Sequence, residues 1–139
     1  MCYSGFRISA YLEMKTNLED EYFQGGVKTA AGKDRVVPIH SAILPLVCKR
    51  LDKYGAYLPN SVQNFRMDMY DTLKSLGIKK HTPHDCRHTF SMLCDKYGVN
   101  KNDKKTLLGH SFSDVTNKVY RHRQLEALRE QLERIKVCH

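Results

Sequence analysis

The segment 81–120 gathers the side chains of this sequence that could do chemistry on an anion. His84 and Arg87 are three residues apart, so on a helix they share one face and can converge on a single ligand. His110 follows a Leu-Leu-Gly sequence, and Tyr120 comes ten residues later. Imidazole, guanidinium and phenol can together supply a base, a fixed charge and a nucleophile. We therefore expect an anionic ligand at these residues.

Three consecutive short helices are predicted to position these side chains. Thr82-Pro83-His84-Asp85 is typical of a helix start, with a capping threonine, a proline at the first helical position and a capping-box carboxylate. Gly98 ends this helix, and a second helix over about 102–108 ends at the glycine before His110. A third short helix, capped by a serine just after His110, carries Tyr120 near its end.

The rest of the sequence predicts a mainly α-helical fold with one small antiparallel β-hairpin. Apolar residues recur at helical spacing in most segments, and two runs of β-forming residues flank a glycine-containing turn. A proline in the second run indicates an edge strand. The predicted elements are a helix to about Met14, strands over 22–28 and 33–39, helices over 41–54 and 61–76, and a terminal helix after Tyr120.

Charge favours a polyanionic partner. The chain of 139 residues has 23 Lys and Arg against 15 Asp and Glu, a formal net charge of +8 and a pI near 9.3. Its length suits one domain with a real core. Its apolar runs are shorter than the roughly 18 residues of a membrane helix, and its first residues lack the apolar core of a signal peptide. We expect no membrane partner.

Cysteines and carboxylates argue against a metal site. The five cysteines form an odd set without a Cys-x-x-Cys pair, which is typical of reduced thiols in a cytosolic protein. A zinc site built from Cys86, Cys94 and nearby histidines would match no common ligand spacing. The sequence also has no carboxylate cluster suited to Mg²⁺, which argues against a two-metal nuclease. We therefore expect no metal and no other cofactor.

In chain order, the candidate residues resemble the signature of the tyrosine recombinases, or phage-type integrases. These proteins carry His-x-x-Arg, then Leu-Leu-Gly-His, then a nucleophilic tyrosine. The interval from the second histidine to the tyrosine is commonly nine in the family, whereas the interval from His110 to Tyr120 is ten. The matching segments here are His84-Asp85-Cys86-Arg87, Leu107-Leu108-Gly109-His110 and Val119-Tyr120.

An earlier segment resembles the box that holds the first catalytic arginine of this family. The sequence Tyr-Ser-Gly-Phe-Arg-Ile-Ser places Arg7 at that position. The family usually has Glu directly after the serine, and this chain has Ala10 there. A carboxylate often braces an arginine through a bidentate contact. Glu13 is one candidate for that bracing role.

The predicted hairpin resembles the element that carries the catalytic lysine in this family. Lys28, at the end of the first strand, and Lys33, at the start of the second, compete for that role, and we favour Lys28. Lys33 and Arg35 are then expected to contact the DNA backbone. A basic run further along the chain, which includes Lys79 and Lys80, is a further candidate for phosphate contacts.

The resemblance implies a role for each residue in breaking a DNA phosphodiester without metal or ATP. Tyr120 would attack the phosphorus to give a 3′-phosphotyrosyl link, with His84 as its base. Arg7 and Arg87 would hold the non-bridging oxygens, and His110 would donate a hydrogen bond to one of them. Lys28 would protonate the leaving 5′-oxygen. A second 5′-hydroxyl could then reverse the reaction, which is strand exchange.

The resemblance also implies a setting for the chain. Residues 1–139 would be a partial C-terminal catalytic domain, without the leading helices and core-binding domain of the family. The full-length protein would act on double-stranded DNA attachment sites as a homotetramer, in the cytoplasm of a bacterium and at its nucleoid. The terminal helix would dock on a neighbouring protomer or on its own domain. The alternatives are a type IB topoisomerase-like enzyme and a non-catalytic DNA-binding or assembly module with this fold.

Overall fold

The computed structural model describes residues 1–26, 34–58, 61–110 and 118–137, and the side chains of all of these except 118–123. It has the mainly α-helical architecture with a small antiparallel sheet that the sequence predicts. Two 3₁₀ helices lie at Ile8–Leu12 and Ser41–Ile43. The other elements are β1 (Lys15–Asn17), β2 (Tyr22–Gly25), β3 (Arg35–Pro38), α1 (Leu44–Tyr54), α2 (Val62–Ser75), α3 (Pro83–Lys96), α4 (Lys101–Leu108) and α5 (Lys118–Leu132).

The sheet has three antiparallel strands in the order β1-β2-β3. Phe23 in the central strand pairs with Thr16 on one side and Val37 on the other. The predicted hairpin is confirmed as β2 and β3, and β3 is an edge strand, as Pro38 indicates. The sequence analysis did not predict β1, because its three polar residues lack the alternating pattern of a strand.

Aromatic rings form the part of the core that lies beneath the sheet. Phe6 packs edge-on against Tyr11 and Phe23, with ring centroids 6.2 and 6.3 Å apart. Tyr57 continues the cluster, 5.7 Å from Tyr11 and 5.9 Å from Phe23. Such edge-to-face pairs stabilise a core beyond the area they bury. They also anchor residues 4–12, which carry the first arginine of the site, on the sheet.

The predicted helix ends of α3 and α4 are confirmed. Thr82 and Asp85 form a reciprocal capping box, with Pro83 at the start of α3. The hydrogen bond from the Thr82 N–H holds the pKa of the Asp85 carboxyl below its ordinary value. Gly109 adopts the left-handed conformation, with φ +70°, and ends α4. The start of α3 and the end of α4 therefore determine the positions of Arg87 and His110.

Helix α5 packs on its own domain, against β3 and α4. Its residues Leu125, Leu128 and Leu132 are buried, and so is Ile135, which lies just beyond the end of the helix. The backbone is one helix from Lys118 to Leu132, so residue 120 lies near the start of a long helix and not near the end of a short one. No described helix is both long and apolar enough to span a bilayer.

Helix α2 is packed less deeply than its sequence predicts. It begins as expected, with the Ser61 hydroxyl accepting a hydrogen bond from the Asn64 N–H. Apolar residues at helical spacing predict a stripe that packs in the core, yet none of the residues of α2 is fully buried. Val62 and Phe65 pack against the core. Helical periodicity gives the direction of a stripe but not the depth of its burial.

Candidate active site

Arg87 joins three separate segments of the chain. Its side chain, 6% exposed, extends from the first turns of α3. Nη1 donates a hydrogen bond to the Gly5 carbonyl, and Nη2 donates to the Leu108 carbonyl at 2.6 Å and to His110 Nε2 at 3.0 Å. A guanidinium has five N–H donors in a fixed plane, so it can serve these acceptors together. Arg87 thus connects the arginine box, the end of α4 and His110.

Gly5 can approach Arg87 because it has no side chain. Its φ of +63° is in the left-handed region, which L side chains rarely adopt. A Cβ at this position would lie 2.6 Å from Phe90 Cδ1 and 3.2 Å from Leu108 Cδ2. The backbone therefore packs directly against α3 and α4. This close approach brings the Gly5 carbonyl to Arg87.

His110 is presented by the way α4 ends. The His110 N–H donates to the Lys105 carbonyl at 2.8 Å, which closes the last turn, and the ring is exposed. Although the residue is exposed, partial desolvation of its ring, followed by the positive charges of Arg87, Arg7, Arg35 and Lys104, lowers the pKa of His110 below its ordinary 6.5. The ring is therefore neutral at pH 7, and Nε2 can accept the hydrogen bond from Arg87.

Arg7 and Arg35 complete a cluster of three guanidinium groups with Arg87. Arg7, half-buried, precedes the first 3₁₀ helix, and its charge contributes to lowering the pKa of Arg87 and of Arg35. Arg35 lies over the Phe6 ring at 3.9 Å and donates to the Gly5 carbonyl at 3.2 Å. The predicted proximity of Arg7, Arg87 and His110 therefore agrees with the electrostatics of the fold.

The three guanidinium groups lack acidic partners in the described part of the chain. None of its Asp or Glu oxygens lies within 4.0 Å of a nitrogen of Arg7, Arg35 or Arg87. Glu13, the candidate brace for Arg7, is exposed and forms no such ion pair. Buried charges are normally paired, because desolvation of an isolated charge is costly. An unpaired cluster of this kind suits an anion from outside the chain.

His84 makes no hydrogen bond to this cluster in the described part of the chain. Its ring is exposed and packs edge-on against His88, with centroids 4.6 Å apart. Among the described residues, no hydrogen bond joins His84 to Arg87 or His110. No group of three or more described His, Cys, Asp or Glu side chains is arranged to hold a metal ion.

The structure describes only some of the other predicted site residues. Lys79 and Lys80 are exposed, and Lys80 Nζ lies 4.4 Å from the Tyr70 ring centroid. Lys28 and Lys33 lie outside the described residues, and so does the side chain of Tyr120. Their predicted roles stay predictions.

Two contributors to the site were not predicted in their observed roles. Gly5 was predicted only as part of the arginine box, although a glycine two residues before a candidate arginine is itself a signal for close backbone approach. Arg35 was expected on the DNA-facing surface, but its guanidinium is turned inward. Strand alternation explains this, since Arg35 and the fully buried Val37 share one face of β3.

Fold and site together define the catalytic-domain architecture of the integrases. Residues 1–126 match the Phage integrase family, and the chain belongs to that family. It is 29% identical over 147 positions to Tyrosine recombinase XerA of Pyrococcus furiosus, covering 94% of this chain and 50% of that protein. It is 27% identical over 135 positions to a Tyrosine recombinase of Thermosipho africanus, covering 86% of this chain and 46% of that protein.

A solved structure shares the fold. The Integrase from mycobacterium phage Brujita superposes with a TM-score of 0.68 at 14% identity, over 98% of this chain and 54% of that one. At this identity the likeness concerns the fold alone. The chain spans about half the length of the relatives it matches, 50 and 46% for the two recombinases.

Proposed function

We propose that this chain is the catalytic part of a site-specific DNA recombinase that cuts and rejoins strands through a 3′-phosphotyrosyl intermediate. One observation carries the proposal: Arg87 holds Gly5 in the arginine box, Leu108 at the end of α4 and the ring of His110 together. Three segments that are far apart in sequence thus form one cationic cluster, to which the described part of the chain contributes no carboxylate. That is the arrangement needed to bind a scissile phosphate.

The guanidinium groups would do the electrostatic work of the reaction. Attack on a phosphodiester increases negative charge on the non-bridging oxygens, and fixed donors stabilise that charge without reorganising. Arg7 and Arg87 offer planar forks that match two oxygens, and both are cationic at neutral pH. Since Arg87 already donates to His110 Nε2, His110 would donate its own hydrogen bond to the phosphate from Nδ1.

The remaining roles are assigned from the family motifs in the sequence. Tyr120 would attack phosphorus, His84 would accept its proton, and Lys28 would protonate the leaving 5′-oxygen, with Lys33 as the alternative lysine. A phenol is a weak nucleophile near its ordinary pKa of about 10, so nearby cations would help it. Because the phosphotyrosyl ester would conserve the energy of the cleaved phosphodiester, religation would need no ATP. The reaction would also use no metal ion.

The setting of the reaction is part of the same proposal. The chain would be the C-terminal catalytic part of a longer recombinase that assembles as a homotetramer on double-stranded attachment sites. It would act in the cytoplasm, at the nucleoid. Exposed Lys79 and Lys80, and Lys33, would contact the DNA backbone, so binding would weaken as salt rises.

A suicide-substrate assay tests the proposal. The complete gene product is incubated with a nicked duplex that carries its attachment site, and the protein–DNA adduct is measured on a denaturing gel. We expect an adduct from the wild type, none from Tyr120→Phe, and a normal yield from Tyr54→Phe, a control tyrosine on α1. An adduct that survives Tyr120→Phe would contradict the nucleophile assignment.

The same assay separates the alternative functions. A recombinase should form the adduct on its own site and much less on an unrelated duplex. Equal adduct yield on both duplexes, with relaxation of supercoils by a monomer, would indicate a type IB topoisomerase-like enzyme. Tight binding without any adduct would indicate a DNA-binding or assembly module.

A further inference from the structure

Arg35 is held under the candidate site by contacts that a surface residue would not need. It is the first residue of β3, where it pairs with Gly25. Its guanidinium carbon lies 3.9 Å from the centroid of the Phe6 ring, and Nη2 donates to the Gly5 carbonyl at 3.2 Å. Nε is buried without a hydrogen-bond partner among the described residues. These contacts fix the direction of the side chain toward the site.

Arg35 and Arg87 share one acceptor. The Gly5 carbonyl accepts a hydrogen bond from Nη2 of Arg35 and another from Nη1 of Arg87. A carbonyl oxygen has two lone pairs, so both bonds can form together. Removal of either donor would change the position of the carbonyl that the other one uses. The geometry therefore couples Arg35 to Arg87 through Gly5.

This arrangement is costly for the isolated fold. Burial, and then the charges of Arg87 and Arg7, lower the pKa of Arg35 to about 9, so it is still cationic at pH 7. Three like charges repel each other, and no carboxylate among residues 1–26, 34–58, 61–110 and 124–137 is paired with them. An apolar side chain could cover Phe6 without that penalty. The charge at position 35 is therefore better explained by function than by stability.

We propose that Arg35 is a positioning residue of the strand-cleavage reaction, which fixes the Gly5 carbonyl and thereby Arg87, and adds a third positive charge behind the phosphate pocket. This inference rests on the proposed function. It differs from the backbone-contact role expected from the sequence, because the buried Nε and the stacked guanidinium face Phe6 and Gly5. A lysine could supply the charge but not the planar fork that stacks and donates at once.

The chain offers a matched control in Arg50. It also lies over an aromatic ring, that of Tyr54 at 4.5 Å, and donates to a backbone carbonyl, that of Tyr57, at 3.0 and 3.2 Å. Arg50 is on α1, outside the candidate site. Arg50→Met thus removes the same kinds of contact as Arg35→Met without touching the cluster.

The test compares cleavage rate with DNA affinity in the complete gene product. Adduct formation is measured under single-turnover conditions with saturating protein, and affinity for the uncut duplex is measured in a Tyr120→Phe background. We expect Arg35→Met to slow cleavage at least about 10-fold while affinity falls less than about 3-fold, since displacement of a catalytic group mainly affects the chemical step. Arg50→Met should change neither quantity by more than about 3-fold, because its contacts lie outside the site.

Three results would overturn the proposal. The first is a loss of cleavage rate below about 10-fold in folded Arg35→Met. The second is an equal loss of cleavage rate and DNA affinity, which would indicate that Arg35 contacts the DNA backbone. The third concerns Arg35→Lys, which also carries the test if Arg35→Met does not fold. We expect this variant to cleave at least about 3-fold more slowly than the wild type, since it lacks the fork. Cleavage at the wild-type rate would mean that charge alone matters.

A measurement that does not depend on DNA cleavage separates this proposal from the proposed function. Arg7, Arg35, Arg87 and Lys104 all contribute positive charge that lowers the pKa of His110. NMR titration should therefore give a higher pKa for His110 in Arg35→Met, and no change in Arg50→Met. If the wild type forms no adduct, the proposed function fails while this result still stands. An unchanged His110 pKa in Arg35→Met would contradict the placement of Arg35.

Discussion

The candidate active site and the seat of helix α5, formed by His40, Ser41, Leu132, Glu133 and Ile135, both contain polar groups held by hydrogen bonds, but their charges are balanced in different ways. At the seat, Glu133 accepts hydrogen bonds from the Ser41 N–H and hydroxyl, each at 2.6 Å. His40, 4% exposed, donates from Nε2 to the Ile135 carbonyl at 2.8 Å and accepts at Nδ1 from the Ala42 N–H at 3.1 Å. In these interactions each donor meets an acceptor within the chain.

At the candidate active site, Arg7, Arg35 and Arg87 lie close enough for their charges to influence one another, and the described residues supply carbonyls and an imidazole to Arg35 and Arg87 but no carboxylate. The seat is arranged to stabilise the fold, while the site holds positive charge that no carboxylate of the described residues neutralises. Substitutions at the site should therefore change activity more than stability, and substitutions at the seat should do the reverse.

The largest effect is expected at the centre of the site. Arg87→Met should slow adduct formation by at least about 100-fold, because under the proposed function it removes a charged group that binds the scissile phosphate. The free energy of unfolding should change by no more than about 2 kcal/mol, since the lost bonds to Gly5 and Leu108 are offset by relief of buried like charges. Single-turnover cleavage and urea unfolding of one preparation check both values. A fully unfolded variant would contradict the comparison.

The seat should show the opposite balance in its apolar part. Leu132 is 0% exposed, and Leu132→Ala should lower the free energy of unfolding by about 2–5 kcal/mol through lost burial and a new cavity. Leu46, 65% exposed on α1, is the matched control, and Leu46→Ala should stay within about 0.5 kcal/mol of the wild type. Urea denaturation measures both. A loss below about 1 kcal/mol in Leu132→Ala would mean that α5 is not seated as described.

A smaller effect is expected at the polar part of the seat. Glu133→Gln removes the charge that strengthens the bonds from Ser41, and it should cost about 1 kcal/mol of folding stability. Glu130→Gln makes the same chemical change at an exposed position on α5 and should be neutral within about 0.5 kcal/mol. Neither variant should change the cleavage rate per folded molecule. A Glu133→Gln protein with wild-type stability but slower cleavage would reverse the assignment of this region.

The smallest effect is a pH dependence at His110. Its folded-state pKa lies below the ordinary 6.5, so between the two values the unfolded chain binds more protons and stability falls as the pH falls. NMR titration should place the wild-type midpoint below 6.5 and move it upward in Arg87→Met, since the charge of Arg87 helps to lower it. Lys49→Met, a charge change at an exposed residue of α1, should leave the midpoint unchanged.

Sequence reasoning was most accurate where local chemistry decides the structure. The capping box of Thr82 and Asp85 and the left-handed stop at Gly109 depend on residues within one turn, and both are confirmed. Pro38 lacks an N–H, which restricts it to an edge, and β3 is an edge strand. Family motifs then predicted that Arg87 and His110 come together, and they are in hydrogen-bond contact.

Sequence reasoning was least accurate where distant segments decide. The three residues of β1 form a strand only because β2 lies beside them. The position of the Arg35 side chain depends on Phe6 and Gly5, about thirty residues earlier, and the burial of α2 depends on how many of its apolar residues meet the core. These outcomes are set by tertiary packing, for which local pattern carries little information.

Binding of the scissile phosphate by the arginine cluster and His110 is best tested by a structure of the Tyr120→Phe protein bound to uncut duplex DNA that contains its attachment site. We predict that the non-bridging oxygens of the scissile phosphate lie within about 3.2 Å of guanidinium nitrogens of Arg7 and Arg87 and of His110, with Arg35 behind them on Gly5. A scissile phosphate bound by other side chains, with Arg7 and Arg87 making no contact to it, would contradict the account.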